Sequence, residues 1–237
     1  IEHPLVSVNW LYQNIEATNL VILNATLPKV TLNNPEKDSI NVRLKNARFF
    51  DLKNEFSVQG APFPNTMLAP IDFQIKARNI GINSNSCIVV YDEYGIYSSA
   101  RVWWLFKTMG HNNIAVLNGG LPAWMKENFS IEKKQKETYQ LGNFISNYQP
   151  KMIIGAEQVL ESLNTNSTKQ ILDARSAGRF HGTSPEPRTE VRSGHIPNSK
   201  NLPYSSLINN SKLKTELELK ALFKDVILKD KELIFSC

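Results

Sequence analysis

Short apolar runs recur along the chain, separated by polar stretches, and each has the length of a buried strand. Leu20-Val21-Ile22-Leu23, Ile88-Val89-Val90-Tyr91, Ile114-Ala115-Val116-Leu117, Gln170-Ile171-Leu172 and Leu233-Ile234-Phe235-Ser236 do not alternate apolar with polar. Continuous runs of this kind suit strands covered on both faces. Helical patterns lie between them. Ser7 is placed to cap a first short helix bearing Val8, Leu11 and Ile15, with Trp10 beside them. A second helix runs from about Ser99 to Met109 and is closed by Gly110. Others are expected from about Ala156 to Leu163 and from Thr215 to Phe223. Strand, helix and strand over 87–120 imply a right-handed parallel crossover. The fold class is therefore α/β, with mostly parallel sheets flanked by helices. Residues 28–46 are polar and Asn-rich and read as a loop, and the stretch holding Pro62, Pro64 and Pro70 reads as irregular.

The same order occurs twice. Leu23-Asn24-Ala25 answers to Leu172-Asp173-Ala174, Phe49-Phe50-Asp51 to Leu202-Pro203-Tyr204, and Tyr91-Asp92 to Ser236-Cys237. Duplication accounts for this, giving two similar domains of ordinary size, 1–130 and 152–237. Residues 131–151, rich in Lys, Glu, Gln and Asn, read as the linker. The second half has no counterpart of the helix and strand at 99–117, so that domain is expected to be C-terminally incomplete. The two copies differ where it matters for chemistry, with Asp92 ending one strand and Cys237 the other.

Composition narrows the classes of function. The chain has 237 residues, 41% apolar and 21% charged, as a globular protein should. An excess of 27 basic over 22 acidic residues gives +5 and favours anionic ligands. The basic residues are scattered, which argues against nucleic acid as a partner. No apolar run reaches the length of a membrane span, and no signal peptide opens the chain. The expectation is a cytoplasmic monomer with no membrane partner. Two cysteines are too few for a disulfide framework or a zinc site, and His3, His111 and His181 lack metal-ligand spacing. No Gly-rich phosphate loop is present. No metal and no cofactor are expected.

Cys237 is the candidate nucleophile, since reactive groups sit at the carboxyl ends of strands in α/β sheets. A strand-to-helix turn there would offer backbone N–H groups that lower a thiol pKa. Cys87 begins its strand and reads as a small buried residue. Arg179 and Arg188 flank a Pro-stiffened loop and could converge on one anion through planar guanidinium forks, with Arg192 a possible third contact. A solvated loop with surface ion pairs is the alternative. Asp173 and Arg175 suit a mutual pair or backbone contacts. His195 in Gly194-His195-Ile196-Pro197 could act as a general base, but fixing the turn suits it better.

These residues resemble a known family. Arg101-Val102-Trp103-Trp104, Gly110-His111, Leu117-Asn118-Gly119-Gly120-Leu121 and Trp124 look like the first domain of the two-domain rhodanese-type sulfurtransferases. Asp173-Ala174-Arg175, Gly178-Arg179-Phe180, Gly182-Thr183, Pro185-Glu186-Pro187-Arg188, Ser193-Gly194-His195-Ile196-Pro197 and Asn201-Leu202-Pro203 look like their catalytic domain. The resemblance implies two tandem rhodanese-like domains, the first inactive. It implies a Cys237 persulfide that carries sulfur from a small anionic donor to a thiol or cyanide acceptor. It places Arg179 and Arg188 at the donor, a pairing found in mercaptopyruvate-type members, and so favours 3-mercaptopyruvate over thiosulfate. Against that, Thr66 stands where that branch usually has His, and Lys53 where it has Asp. Asn198 replaces the glycine usual after Ile-Pro.

Two other functions fit the same thiol. A rhodanese-fold cysteine phosphatase would need a longer loop closed by an Arg after Cys237. A non-catalytic sulfur carrier or partner-binding module would keep the cysteine without a supporting loop.

Overall fold

The computed structural model describes residues 1–28, 40–135, 137–163, 168–188 and 191–237. The chain divides into two units, Ile1–Met152 with Asn210–Lys212, and Ile153–Asn209 with Leu213–Cys237.

The first unit contains β1 (Leu5–Val6), α1 (Val8–Asn14), β2 (Leu20–Asn24), β3 (Val42–Leu44), β4 (Arg48–Phe49), α2 (Pro70–Asn79), β5 (Cys87–Tyr91), α3 (Ser99–Thr108), β6 (Ile114–Leu117), α4 (Gly120–Lys126) and β7 (Ile131–Lys133). Five of these strands form a parallel sheet in the order β1-β6-β5-β2-β4. The unbroken apolar runs have the consequence expected of them, because successive side chains leave opposite faces. Val21, Leu23, Ile88 and Val90 enter one core with Phe50, Phe73 and Phe106. Ile22, Val89 and Tyr91 enter the other with Leu11 and Trp124. The Ser7 hydroxyl accepts the Trp10 N–H at 3.1 Å and caps α1, and Gly110 takes φ +80° just past α3.

Segments of this unit differ from expectation. Pro70 opens α2 instead of prolonging an irregular stretch, since the first helical turn needs no proline N–H. Its apolar pattern is weak because Ile71 and Ile75 are exposed while Phe73 and Ala77 are buried. Residues 42–44 are a strand, paired antiparallel with β7; residues 29–39 of the expected loop lie outside the described residues. The segment expected as a linker is held on the first unit, through β7 and through Phe144, which is 1% exposed and packs among Phe73, Phe106 and His111. A single buried ring in a polar stretch leaves no periodicity to detect.

The chain continues through α5 (Ala156–Glu161), β8 (Lys169–Asp173), α6 (Ala177–His181), β9 (Lys200–Asn201), a hairpin of β10 (Ile208–Asn209) and β11 (Lys212–Leu213), α7 (Glu216–Lys224) and β12 (Glu232–Ser236). Thr215 and Glu218 form a capping box at α7. The second unit's sheet is parallel in the order β12-β8-β9.

Register makes the duplication explicit. Asn24 pairs with Phe49 and Tyr91, as Asp173 pairs with Asn201 and Ser236. The Ala25 N–H donates to the Tyr91 carbonyl at 2.8 Å, and the Ala174 N–H to the Ser236 carbonyl at 2.8 Å. One correspondence moves by a residue: Phe50, not Phe49, matches Leu202, since Phe50 N–H donates to Asn24 and Leu202 N–H to Asp173. A one-residue slip exchanges faces, and Phe50 and Leu202 are the buried pair.

Candidate active site

β12 delivers Cys237 one residue beyond the Ser236–Asp173 register pair, at the carboxyl end of the second unit's sheet, where it is exposed. Cys87 begins β5, so it lies at the amino end of its own sheet; it is half-buried, and burial pushes its thiol pKa up. The two thiols therefore have different prospects. Only Cys237 occupies the end of a sheet where the fold gathers loops.

Arg179, expected to flank a Pro-stiffened loop, stands on a short helix. α6 holds Arg179 and ends at Gly182, which takes the left-handed conformation at φ +72°. A chain of charges runs beside it. Arg175 Nε donates to both Asp173 oxygens at 3.1 Å, and its Nη2 donates to Asp173 Oδ2 at 2.7 Å and to the Gly194 carbonyl at 2.6 Å. Arg175 Nη1 reaches Glu186 Oε1 at 2.9 Å. The other Glu186 oxygen accepts Arg179 Nε at 2.9 Å and Nη2 at 2.6 Å. The side chains of Asp173 and Glu186 are 2% and 3% exposed, against 32% for Arg179. Hydrogen bonding from Arg179 holds the Glu186 carboxyl below its ordinary range, and bonding to Asp173 raises Arg175. The two arginines and two carboxylates alternate along the chain, so each acid meets a guanidinium.

His195 lies at the edge of this network. Its Nδ1 is 2.9 Å from the Phe180 carbonyl, which can only accept, so that nitrogen carries the proton. The imidazole stacks on the Phe180 ring at 3.9 Å. These contacts tie the Gly194–Pro197 turn to α6. Asn198 adopts φ +63°, a conformation that asparagine tolerates where glycine would be free. Arg188 and Arg192 are exposed and take no part in the charge network among the described residues. Thr66 is engaged locally, its hydroxyl donating to the Phe63 carbonyl at 2.5 Å.

The first unit shows what a loop after such a strand does with a negative charge. Asp92 follows β5 and is fully buried. Its Oδ2 accepts the backbone N–H groups of Tyr97, Ser98 and Ser99 at 2.8, 3.1 and 3.0 Å, and the Ser99 hydroxyl at 2.6 Å. Its Oδ1 accepts the Tyr94 N–H at 2.9 Å. The loop is an anion nest filled by its own side chain.

Sequence reasoning passed over Glu186 as a site residue. The available signal was its setting, an acid between Pro185 and Pro187 with an arginine on each side in sequence. Proline at both flanks restrains the backbone on either side of the carboxylate.

Known proteins resemble this chain over nearly its whole length. A model of the rhodanese-like domain matches residues 7–127 and again 155–237. The 3-mercaptopyruvate sulfurtransferase of Escherichia coli K12 is 32% identical over 235 residues, 98% of this chain and 83% of the relative. The thiosulfate sulfurtransferase of Bos taurus is 31% identical over 243 residues, 98% of this chain and 80% of the relative. Among solved structures, the crystal structure of SseA from E. coli, titled as a 3-mercaptopyruvate sulfotransferase, superposes with TM-score 0.86 at 30% identity, covering 99% of this chain and 88% of that one. Tum1 of Saccharomyces cerevisiae superposes with TM-score 0.85 at 28% identity, covering 98% and 84%. No helix among the described residues is long and apolar enough to cross a membrane. Two rhodanese-like segments, parallel sheets flanked by helices and relatives matched over nearly the whole chain lead to one conclusion: the chain belongs to the rhodanese family and is a sulfurtransferase of the 3-mercaptopyruvate/thiosulfate type.

Proposed function

We propose that the chain takes its sulfur from 3-mercaptopyruvate, carries it as a persulfide on Cys237, and gives it to a thiol or cyanide. The observation that carries this reading is the thiol placed at the carboxyl end of β12, in the same unit as Arg179, whose guanidinium is held by the buried Glu186 carboxylate. Catalysis is covalent and divides one transfer into two easier steps. In the first, the Cys237 thiolate attacks the donor's sulfur. The carbon–sulfur bond breaks, its electron pair stays on carbon as the enolate of pyruvate, and a proton from solvent completes pyruvate. In the second, an acceptor thiolate or cyanide attacks the outer sulfur of the persulfide. The new bond gives an acceptor persulfide or thiocyanate, and the sulfur–sulfur electron pair returns to Cys237.

Arg179 and Arg188 are the donor-binding residues in this reading, and Asp173, Arg175 and His195 are its supports. A guanidinium pair suits a carboxylate, since each offers a planar fork with two parallel N–H groups. Thiosulfate is the second donor, favoured by the absence of a histidine at Thr66 and by similarity to the bovine enzyme. The active protein is read as a monomer working without metal or cofactor, in two domains joined near residue 152, and the cytoplasm is its proposed compartment.

Steady-state kinetics with both donors tests the donor assignment. Arg188→Ala is expected to raise KM for 3-mercaptopyruvate about tenfold and to change thiosulfate by less than about threefold. Equal losses for the two donors would remove the preference.

A further inference from the structure

The way Arg179 is held is itself informative, on the reading that Arg179 binds the donor. A guanidinium has five N–H donors in one plane and two edges able to grip a carboxylate. One edge is formed by Nε and Nη2, the other by Nη1 and Nη2. Glu186 Oε2 takes the first edge of Arg179, at 2.9 and 2.6 Å. Among the described residues nothing is hydrogen-bonded to the second edge, with both Nη1 hydrogens and one on Nη2, so it can serve a ligand. Glu186 cannot easily turn away. Its side chain is 3% exposed, its other oxygen is held by Arg175 Nη1 at 2.9 Å, and prolines flank it. Releasing either arginine would leave a buried carboxylate short of a partner, which is costly. Arg175 is in turn fixed by Asp173 and the Gly194 carbonyl.

We propose that Glu186 is a positioning residue for sulfur transfer: it presets Arg179 with its end-on N–H pair turned toward the donor's carboxylate or sulfonate. Pre-organisation of this kind lowers the ordering that binding must impose, so it should act on donor affinity rather than on the chemical step. A carboxylate that merely neutralised Arg179 would have the opposite effect, and removing it would tighten donor binding.

The test uses the full-length natural protein with wild type, Glu186→Gln, Glu186→Asp, Arg179→Ala and the Glu186→Gln/Arg179→Ala pair. KM and kcat are measured with 3-mercaptopyruvate and with thiosulfate, beside sulfur loading at saturating donor. Glu186→Gln should raise KM about tenfold with kcat within about twofold of wild type. Glu186→Asp, which keeps the charge, should recover part of that loss. In the Arg179→Ala background, Glu186→Gln should add nothing further, because the group it positions is gone. Where Glu186→Gln does not fold, Arg179→Lys replaces it; that variant keeps the charge but not the fork, and the same rise in KM is expected. An unchanged or lowered KM, or a Glu186→Gln effect undiminished without Arg179, would overturn the proposal while wild-type turnover left the sulfurtransfer reading intact. Wild type that loads sulfur from neither donor would overturn both.

Discussion

Asp92 and Cys237 end equivalent strands, yet only one of them can enter the chemistry of sulfur transfer. Asp92 is enclosed by four backbone N–H groups and the Ser99 hydroxyl, so its charge is satisfied internally and no ligand is needed. Asp92→Ala would leave those donors buried without an acceptor, at a cost of about 2–4 kcal/mol. Thermal denaturation should show that loss, with Asp92→Asn milder, while sulfur loading per folded molecule stays at the wild-type level. A drop in loading for the folded variant would mean that the first unit contributes to catalysis through this loop. The contrast between Asp92 and Cys237 was legible from residue order alone, because each follows a continuous apolar run. Glu186 was not. Its importance lies in which atoms it meets across α6 and the 185–188 turn, and no periodicity encodes that.

At the scale of elements, the long strands were readable and the short pieces were not. β2, β5 and β6 are apolar on both faces and stand out in any window. α4 and α6 span 7 and 5 residues, too few to display a helical period in the sequence. The 131–151 segment looked like a linker because its anchors are sparse. Phe144→Ala tests that anchor directly; emptying a site that is 1% exposed should cost about 3–5 kcal/mol and lower the melting temperature. The β3–β7 pair carries a second anchor. Arg43, on β3, meets Glu132 at 2.7 Å and also binds Glu137 just past β7. The hydrogen bond from Arg43 is the first cause holding the Glu137 carboxyl down, from 4.5 to about 2. A carboxyl that is harder to protonate when folded adds stability above its unfolded pKa and loses it as pH falls. Glu137 should therefore contribute its full share, on the order of 2 kcal/mol, above about pH 5, and lose it progressively toward pH 2. Melting temperature measured across that range should fall less steeply for Glu137→Gln than for wild type. Parallel curves would show that the ion pair does not stabilise the fold.

Across the whole molecule, one folding pattern occurs twice and carries one nucleophile. The register pairs of β2 with β4 and β5, repeated in β8 with β9 and β12, make the two copies comparable residue by residue. In one copy the strand-end charge is buried and saturated. In the other a thiol stands at the strand end, and an arginine chain anchored by Asp173 and Glu186 lies in the same unit. That asymmetry is the central claim, and Cys87 supplies an internal control for it. Full-length protein treated with 3-mercaptopyruvate, freed of donor and mapped by peptide mass spectrometry should carry one additional sulfur atom on the Cys237 peptide and none on the Cys87 peptide, and cyanide should remove it. Sulfur on Cys87, or on neither cysteine with either donor, would contradict the account.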